Sequence, residues 1–196
     1  MKPLIISGPS GGGKSTIITK AMEAYPDAFA FSISHTTRKP RPEEVDGINY
    51  WFVTEEKFKK MINDGEFLEY ATFGGSMYGT SKKALDDVLK TERICIVDVE
   101  LQGVKSIHGC KLDAKYILIK TPTLEILEQR LRSRKTETEE SLTKRLNHAK
   151  EDLDAVSANP ELFDFVIVND NLERAYNEFL KIIENELDIV MNAKKK

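Results

Sequence analysis

Residues 8–15 read Gly8-Pro9-Ser10-Gly11-Gly12-Gly13-Lys14-Ser15, a full G-x-x-x-x-G-K-[ST] run placed directly after the apolar segment Leu4-Ile5-Ile6. Glycines let successive backbone N–H groups turn inward around a phosphate, and a helix beginning at the loop adds its positive dipole end. Lys14 then supplies a point charge for the outer phosphates, and the Ser15 hydroxyl suits a magnesium ion. At ordinary glycine abundance the four fixed positions occur by chance in a chain this long about 1% of the time. A strand before the loop and a helix after it make chance rarer still. The chain is therefore expected to bind a nucleoside triphosphate on a parallel α/β scaffold.

The chain has 196 residues, enough for one α/β domain with insertions and a sizeable core. Its net charge of -3 gives no general polyanion surface, so nucleic acid is not an expected partner and the basic residues must act locally. Lys194-Lys195-Lys196 reads as a solvated tail. Cys95, inside an apolar run, reads as a core thiol, and Cys110 as an ordinary free thiol. Neither a cleavable signal nor a membrane-spanning length is legible, so a cytoplasmic location without membrane attachment is expected.

Buried parallel strands are expected at residues 4–7, 93–99, 114–120 and 165–168. Helices are expected at 15–24 and, on the apolar stripe Leu172, Ala175, Tyr176, Phe179, Ile182, Ile183, Leu187 and Val190, as one long element over 172–191. Residues 29–80 turn β-rich, with strands at 29–34, 50–53 and 66–73 around a helix at 55–63, and read as an inserted subdomain. Residues 123–158 are almost purely helical and charged, as in a mobile lid.

A second constellation comprises Ser32-Ile33-Ser34-His35-Thr36-Thr37-Arg38-Lys39-Pro40-Arg41, Asp46-Gly47-Ile48-Asn49-Tyr50, Phe67-Leu68-Glu69-Tyr70 and Tyr78-Gly79-Thr80. With Val97-Asp98-Val99-Glu100-Leu101-Gln102-Gly103, Arg130-Leu131-Arg132-Ser133-Arg134 and Val166-Ile167-Val168-Asn169-Asp170, the whole chain resembles the guanylate kinase family. The resemblance implies an α/β phosphate-loop core with a central parallel sheet (about 1–31, 81–122 and 159–196). It further implies a small mixed α/β GMP-binding insertion (about 32–80) and a helical lid (about 123–158).

The implied reaction moves the γ-phosphoryl group of ATP to GMP, and to dGMP, with Mg2+. ATP is expected on Gly8, Ser10, Gly11, Gly12, Gly13, Lys14, Ser15 and Thr16, with Arg130 and Arg134 on the phosphates and Asn169 beside the adenine. GMP is expected on Ser34, Arg38, Arg41, Tyr50, Glu69, Tyr78, Gly79, Thr80, Asp98 and Glu100. Magnesium would be held by Ser15 and, through water, by Asp98.

The residue chemistry agrees with these assignments. Arg38 and Arg41 on a Pro-stiffened loop offer forked donors for a second dianion, and Tyr50 and Tyr78 add hydroxyls. Read alone, both arginines fit better as a solvated loop balanced by Glu43 and Glu44. An ionised Glu69 has two acceptors, and guanine alone among the common bases presents adjacent ring N–H and amino donors. Ser34 and Thr80 hydroxyls can donate to its carbonyl oxygen. Taken by itself, Glu69 also fits an exposed strand carboxylate.

Arg130 and Arg134 share one helix face, where like charges repel unless an anion lies against them, and with Arg145 they could close over the transferring group. A solvated face beside Glu125 and Glu128 is the plainer alternative. The catalytic set is thus Lys14, Arg38, Arg130, Arg134 and Arg145. A phosphate acceptor ionises for the second time at about pH 6, so no general base is required and His35, His108 and His148 need not act.

Three positions depart from the family pattern: Glu100 where aspartate is usual, Lys135 where glycine is usual, and Asn171 in place of an acid. A monomer is expected. A non-catalytic protein-interaction module on the same fold, or a kinase for another nucleoside monophosphate, are the alternative readings. The intact phosphate loop opposes the first of these, and the Glu69, Ser34 and Thr80 set opposes the second.

Overall fold

The computed structural model describes residues 1–133 and 138–193. In chain order the elements are β1 (Leu4–Ser7), α1 (Lys14–Ala24), β2 (Phe29–Phe31), β3 (His35–Thr36), β4 (Trp51–Phe52), α2 (Glu55–Asn63), β5 (Phe67–Phe73) and β6 (Ser76–Ser81). They continue as α3 (Lys82–Leu89), β7 (Ile94–Asp98), α4 (Leu101–Gly109), β8 (Lys115–Lys120), α5 (Leu124–Ser133), α6 (Glu139–Ala158), β9 (Phe165–Val168), α7 (Leu172–Ile182) and α8 (Glu184–Ala193).

Five strands form a wholly parallel sheet in the order β2-β7-β1-β8-β9. Both faces are covered, which is why these strands read as continuous apolar runs. Alternation along each strand separates the two cores. Leu4, Ile6, Ile94, Ile96, Ile117 and Ile119 point towards α1, α7 and α8. Ile5, Cys95, Val97, Tyr116 and Leu118 point the other way, under α3 and α4. Burial pushes the Cys95 thiol up to about 12, consistent with a packing role.

The second sheet has the order β4-β3-β6-β5 and its own small core of Phe58, Met61 and Phe67, with Phe58 and Phe67 stacked at 4.5 Å. The hairpin β5/β6 turns through Gly74 and Gly75, both at positive φ. α5 and α6 pack on each other through Leu127, Leu131, Leu142 and Ala149. Side-chain caps start α2 (Thr54), α3 (Ser81), α6 (Thr138) and α7 (Asn171), each a contribution of about 1 kcal/mol.

Two expected elements are corrected. The strand expected over 29–34 is shortened to Phe29–Phe31, which pairs with β7, and a separate strand begins beyond it at His35, which with Thr36 pairs with β4 and β6 in the other sheet. The change of partner runs through Ser32, whose N–H still reaches Ile96 O at 2.8 Å, and Ser34, whose carbonyl already accepts from Trp51. The helix expected over 172–191 breaks at Ile183 (φ -103°, ψ 12°) into α7 and α8. Lys115 Nζ accounts for the break, because it donates to the Ile182 carbonyl and to Glu186 Oε2, each at 2.6 Å. The carbonyl that would have bonded Glu186 N–H is thereby satisfied by a lysine from β8. The short elements β3, β6, α3 and α4 are not distinguished in the sequence.

Candidate active site

The two expected nucleotide sites lie at the carboxyl ends of the parallel strands, where open α/β sheets place their ligands. β1 ends at Ser7, and residues 8–13 curl back before α1 begins. Gly8, Gly11 and Gly13 hold φ of 141°, 90° and 102°, values an L side chain resists. A Cβ on Gly8 would stand 1.9 Å from Ile119 O, and one on Gly13 would stand 2.1 Å from Asn169 Nδ2. The loop is therefore compressed between β8 and the segment after β9.

Lys14 Nζ donates to Gly8 O at 2.6 Å and lies 4.0 Å from Asp98 Oδ1, at the end of β7. Ser10, Gly11, Gly13, Lys14, Ser15 and Asp98 border one recess of about 100 Å³. Gly12 turns its carbonyl to Asn169 Nδ2 at 2.9 Å, and Thr16 opens on the neighbouring surface with Thr19 and Lys20. Asn169 is buried, and its Oδ1 has no partner among the described residues. An orphaned acceptor beside the loop is what an amino group on a ligand would satisfy.

Arg145, from α6, donates to Ser10 Oγ at 2.9 Å. Arg130, from α5, reaches Asn169 O at 2.8 Å, so two of the three expected lid arginines stand at the phosphate loop or beside it. Arg134 and Lys135 lie outside the described residues.

The second cleft, of about 290 Å³, is bordered by Ser34, Tyr50, Glu69, Tyr78, Gly79, Asp98 and Glu100, together with Ala71, Phe73, Val99, Gln102 and Gly103. A bulge between Phe67 and Glu69 re-aims β5 so that Glu69 pairs with Thr80. Thr80 N–H donates to Glu69 Oε1 at 2.8 Å, and the Ser34 and Thr80 hydroxyls are 3.4 Å apart. The three residues expected to read the base thus form one hydrogen-bonded group. Gly103 makes room for it, since a Cβ there would meet Val99 Cβ at 3.0 Å and Glu69 Oε2 at 3.4 Å.

Burial raises the Glu69 pKa above the usual carboxylate value, with Glu100 adding to the rise and the Thr80 hydrogen bonds opposing it. Desolvation in the cleft also raises Asp98, against the pull of Lys14. Because the Asp98 side chain is still 42% exposed, solvent limits that effect. Glu100 stands at the residue before α4 without a side-chain capping bond, and its Oε2 lies 3.9 Å from His148 Nε2.

Arg38 and Arg41 stand on the loop between β3 and β4. Arg38 Nη2 pairs with Glu44 Oε1 at 2.7 Å, and its guanidinium lies 5.4 Å from the Tyr50 ring and 5.9 Å from Phe52. Tyr50 and Tyr78 meet edge to face at 6.0 Å. Glu44, read from the sequence only as charge balance, is a partner that sequence reasoning passed over; its spacing of three from Arg41 is the signal that was available. His108 is held structurally, on Leu162 O at 3.0 Å and stacked on Tyr116 at 3.9 Å.

A sequence-family model described as Guanylate kinase matches residues 1–186. Curated guanylate kinases of Sus scrofa and Homo sapiens are each 48% identical over 186 residues, spanning 95% of this chain and 93% and 94% of theirs. The crystal structure of guanylate kinase from Anaplasma phagocytophilum superposes with a TM-score of 0.66 at 27% identity, covering 95% of this chain and 86% of that one. A phosphate loop facing a carboxylate-floored cleft, together with matches that run almost end to end, establishes that the chain belongs to the guanylate kinase family.

Proposed function

We propose that this chain is an ATP:GMP phosphotransferase whose two substrates meet at Asp98. The observation that carries this reading is that Asp98 borders both the phosphate-loop recess and the Glu69 cleft, so the two substrates' phosphates can be brought end to end across one carboxylate. Glu69, with one lone pair of Oε1 engaged by Thr80 N–H, keeps its remaining acceptor positions for the ring N–H and amino group of guanine. Ser34 and Thr80 hydroxyls serve the guanine oxygen. Adenine, with an acceptor where guanine has its ring N–H, would leave that buried carboxylate unpaired, which is how such sites reject the wrong base.

Arg38 and Arg41 hold the acceptor phosphate with the hydroxyls of Tyr50 and Tyr78. Lys14 leaves Gly8 O for the donor's outer phosphates, and Arg130, Arg134 and Arg145 neutralise charge spread over the transferring group. Positioning and charge carry the chemistry, since the acceptor oxygen is already deprotonated. Closure of α5 and α6 excludes water, a competing acceptor. Ser15 and Asp98 present a hydroxyl and a carboxylate to one recess, a hard-oxygen set that fits Mg2+ shared with a triphosphate. When bound, the ion would neutralise phosphate charge. A monomeric, cytoplasmic enzyme is part of this reading; among the described residues no helix is long and apolar enough to cross a membrane.

A coupled assay of ADP release with ATP, Mg2+ and a panel of GMP, dGMP, AMP, CMP and UMP tests the proposal. Turnover confined to the guanine nucleotides is expected. Preference for another base would overturn the Glu69 assignment, and nucleotide binding with no turnover would leave a non-catalytic module.

A further inference from the structure

Glu44 takes no part in the steps above, yet its side chain is only 15% exposed and both its oxygens are engaged. Oε1 accepts from Arg38 Nη2 at 2.7 Å, and Oε2 accepts from the backbone N–H of Arg41 at 2.8 Å. Glu44 N–H in turn donates to Arg41 O at 3.0 Å, closing residues 41–44 into a turn. One carboxylate therefore fixes the side chain of one phosphate-binding arginine and the backbone of the other. Thr36 Oγ1 accepts Arg38 N–H at 3.1 Å, and Arg38 Nη1 donates to Lys39 O at 2.8 Å.

A carboxylate in this place has two opposed effects. It competes with substrate for guanidinium charge, and it holds in advance a side chain that would otherwise have to be ordered on binding. The geometry separates them. A guanidinium has five donors, and Arg38 commits two, so Nε–H and the second hydrogen on each Nη remain for a phosphate. The bond to Arg41 N–H, a neutral group, serves only the shape of the loop.

We propose that Glu44 is the positioning residue of the acceptor-phosphate clamp, presenting Arg38 and Arg41 in their binding geometry before the nucleotide arrives. This rests on the acceptor-phosphate assignment made above. The Arg38 guanidinium and the Arg41 N–H hold the Glu44 carboxyl at about 2, so it stays ionised at any working pH. Its contribution should not titrate.

The test compares wild type with Glu44→Gln and Glu44→Asp, measuring KM and kcat for GMP, KM for ATP, and competitive inhibition by guanosine, which lacks the phosphate. In Glu44→Gln the GMP KM should rise about tenfold or more, as expected when a preorganised contact is lost. ATP KM and the guanosine inhibition constant should stay within about twofold, the ordinary scatter of a distant substitution. The ratio of variant to wild-type GMP KM should remain flat between pH 6 and 9.

An unchanged or lowered GMP KM would show that Glu44 only competes with substrate, and equal weakening of guanosine and ATP would show a merely structural role; either overturns the proposal. If Glu44→Gln does not fold, Glu44→Asp, which keeps the charge but cannot span both donors, decides by the same split between GMP and guanosine. Failure of the wild type to phosphorylate GMP would refute the functional reading itself, and that arm is read separately.

Discussion

Replacing Glu69 by glutamine tests base recognition with little change of shape. Thr80 N–H already donates to Glu69 Oε1 at 2.8 Å, so the amide oxygen of glutamine must take that position and its NH2 group must face the cleft. A donor then opposes the guanine donors. One charge-assisted hydrogen bond is lost, about 1.5–3 kcal/mol, and a buried donor is left unpaired, about 1–3 kcal/mol. The sum, about 2.5–6 kcal/mol, predicts a fall in kcat/KM for GMP of about 10²–10⁴-fold at 1.36 kcal/mol per decade.

Initial rates of ADP release at varied GMP, with ATP saturating, give that number. ATP KM should be unaffected. Stability should move the other way. Burial raises the folded-state pKa of Glu69 above its unfolded value, so its contribution is present at low pH and lost as pH rises through the folded pKa. The ligand-free glutamine variant should therefore melt at a higher temperature than wild type at pH 7.5, with the difference vanishing near pH 4. A loss of GMP kcat/KM under about fivefold, or a lowered melting temperature at pH 7.5, would refute this account of the carboxylate.

Lys14→Ala removes the charge that Gly8 O and Asp98 now hold, and should abolish measurable turnover while leaving the circular dichroism spectrum unchanged; retained turnover refutes the role given to the phosphate loop. Gly13→Ala forces a side chain onto a φ of 102° and drives Asn169 off Gly12 O, so ATP KM should rise at least tenfold, about 1.4 kcal/mol, and a wild-type value would show that the loop yields. Lys115→Met strands the Glu186 carboxylate, whose side chain is 6% exposed, together with the Ile182 carbonyl. Breaking such a pair costs about 3–5 kcal/mol, to be read from urea unfolding; a loss under about 1 kcal/mol would place Glu186 in water.

Much of the fold is legible in the sequence. The phosphate loop and the strands at 4–7, 93–99, 114–120 and 165–168 announce themselves because a parallel strand covered on both faces must be apolar throughout, as Leu4-Ile5-Ile6 and Ile94-Cys95-Ile96-Val97 are. The failures have a shared cause, which is that a distant residue decides. Ile183 keeps the apolar period of α7, and only Lys115, from another layer, ends that helix. Residues 29–34 read as one strand, yet only Phe29–Phe31 finds a partner in the parallel sheet, and pairing resumes in the second sheet at His35, beyond the expected end. Helix α4 is nine residues with Gly103 inside it, a pattern propensity disfavours, although Gly103 is what Glu69 packs against. Arg130 was expected to share a face with Arg134; its contact with Asn169 O depends on how α5 lies across the sheet, which no local spacing encodes.

The chain enters the second sheet on β3 and leaves it on β6, and these strands are neighbours, with His35 opposite Gly79. Its two junctions with the parallel sheet therefore lie side by side. The segment between them is held by more than these junctions, because Leu68 packs into the core under α3 and α4 and Gly103 of α4 lies against Glu69. An exchange of that segment would have to carry residues 98–103 with it, since Asp98, Val99, Glu100 and Gly103 border the same cleft as Glu69 and Asp98 borders the phosphate-loop recess as well.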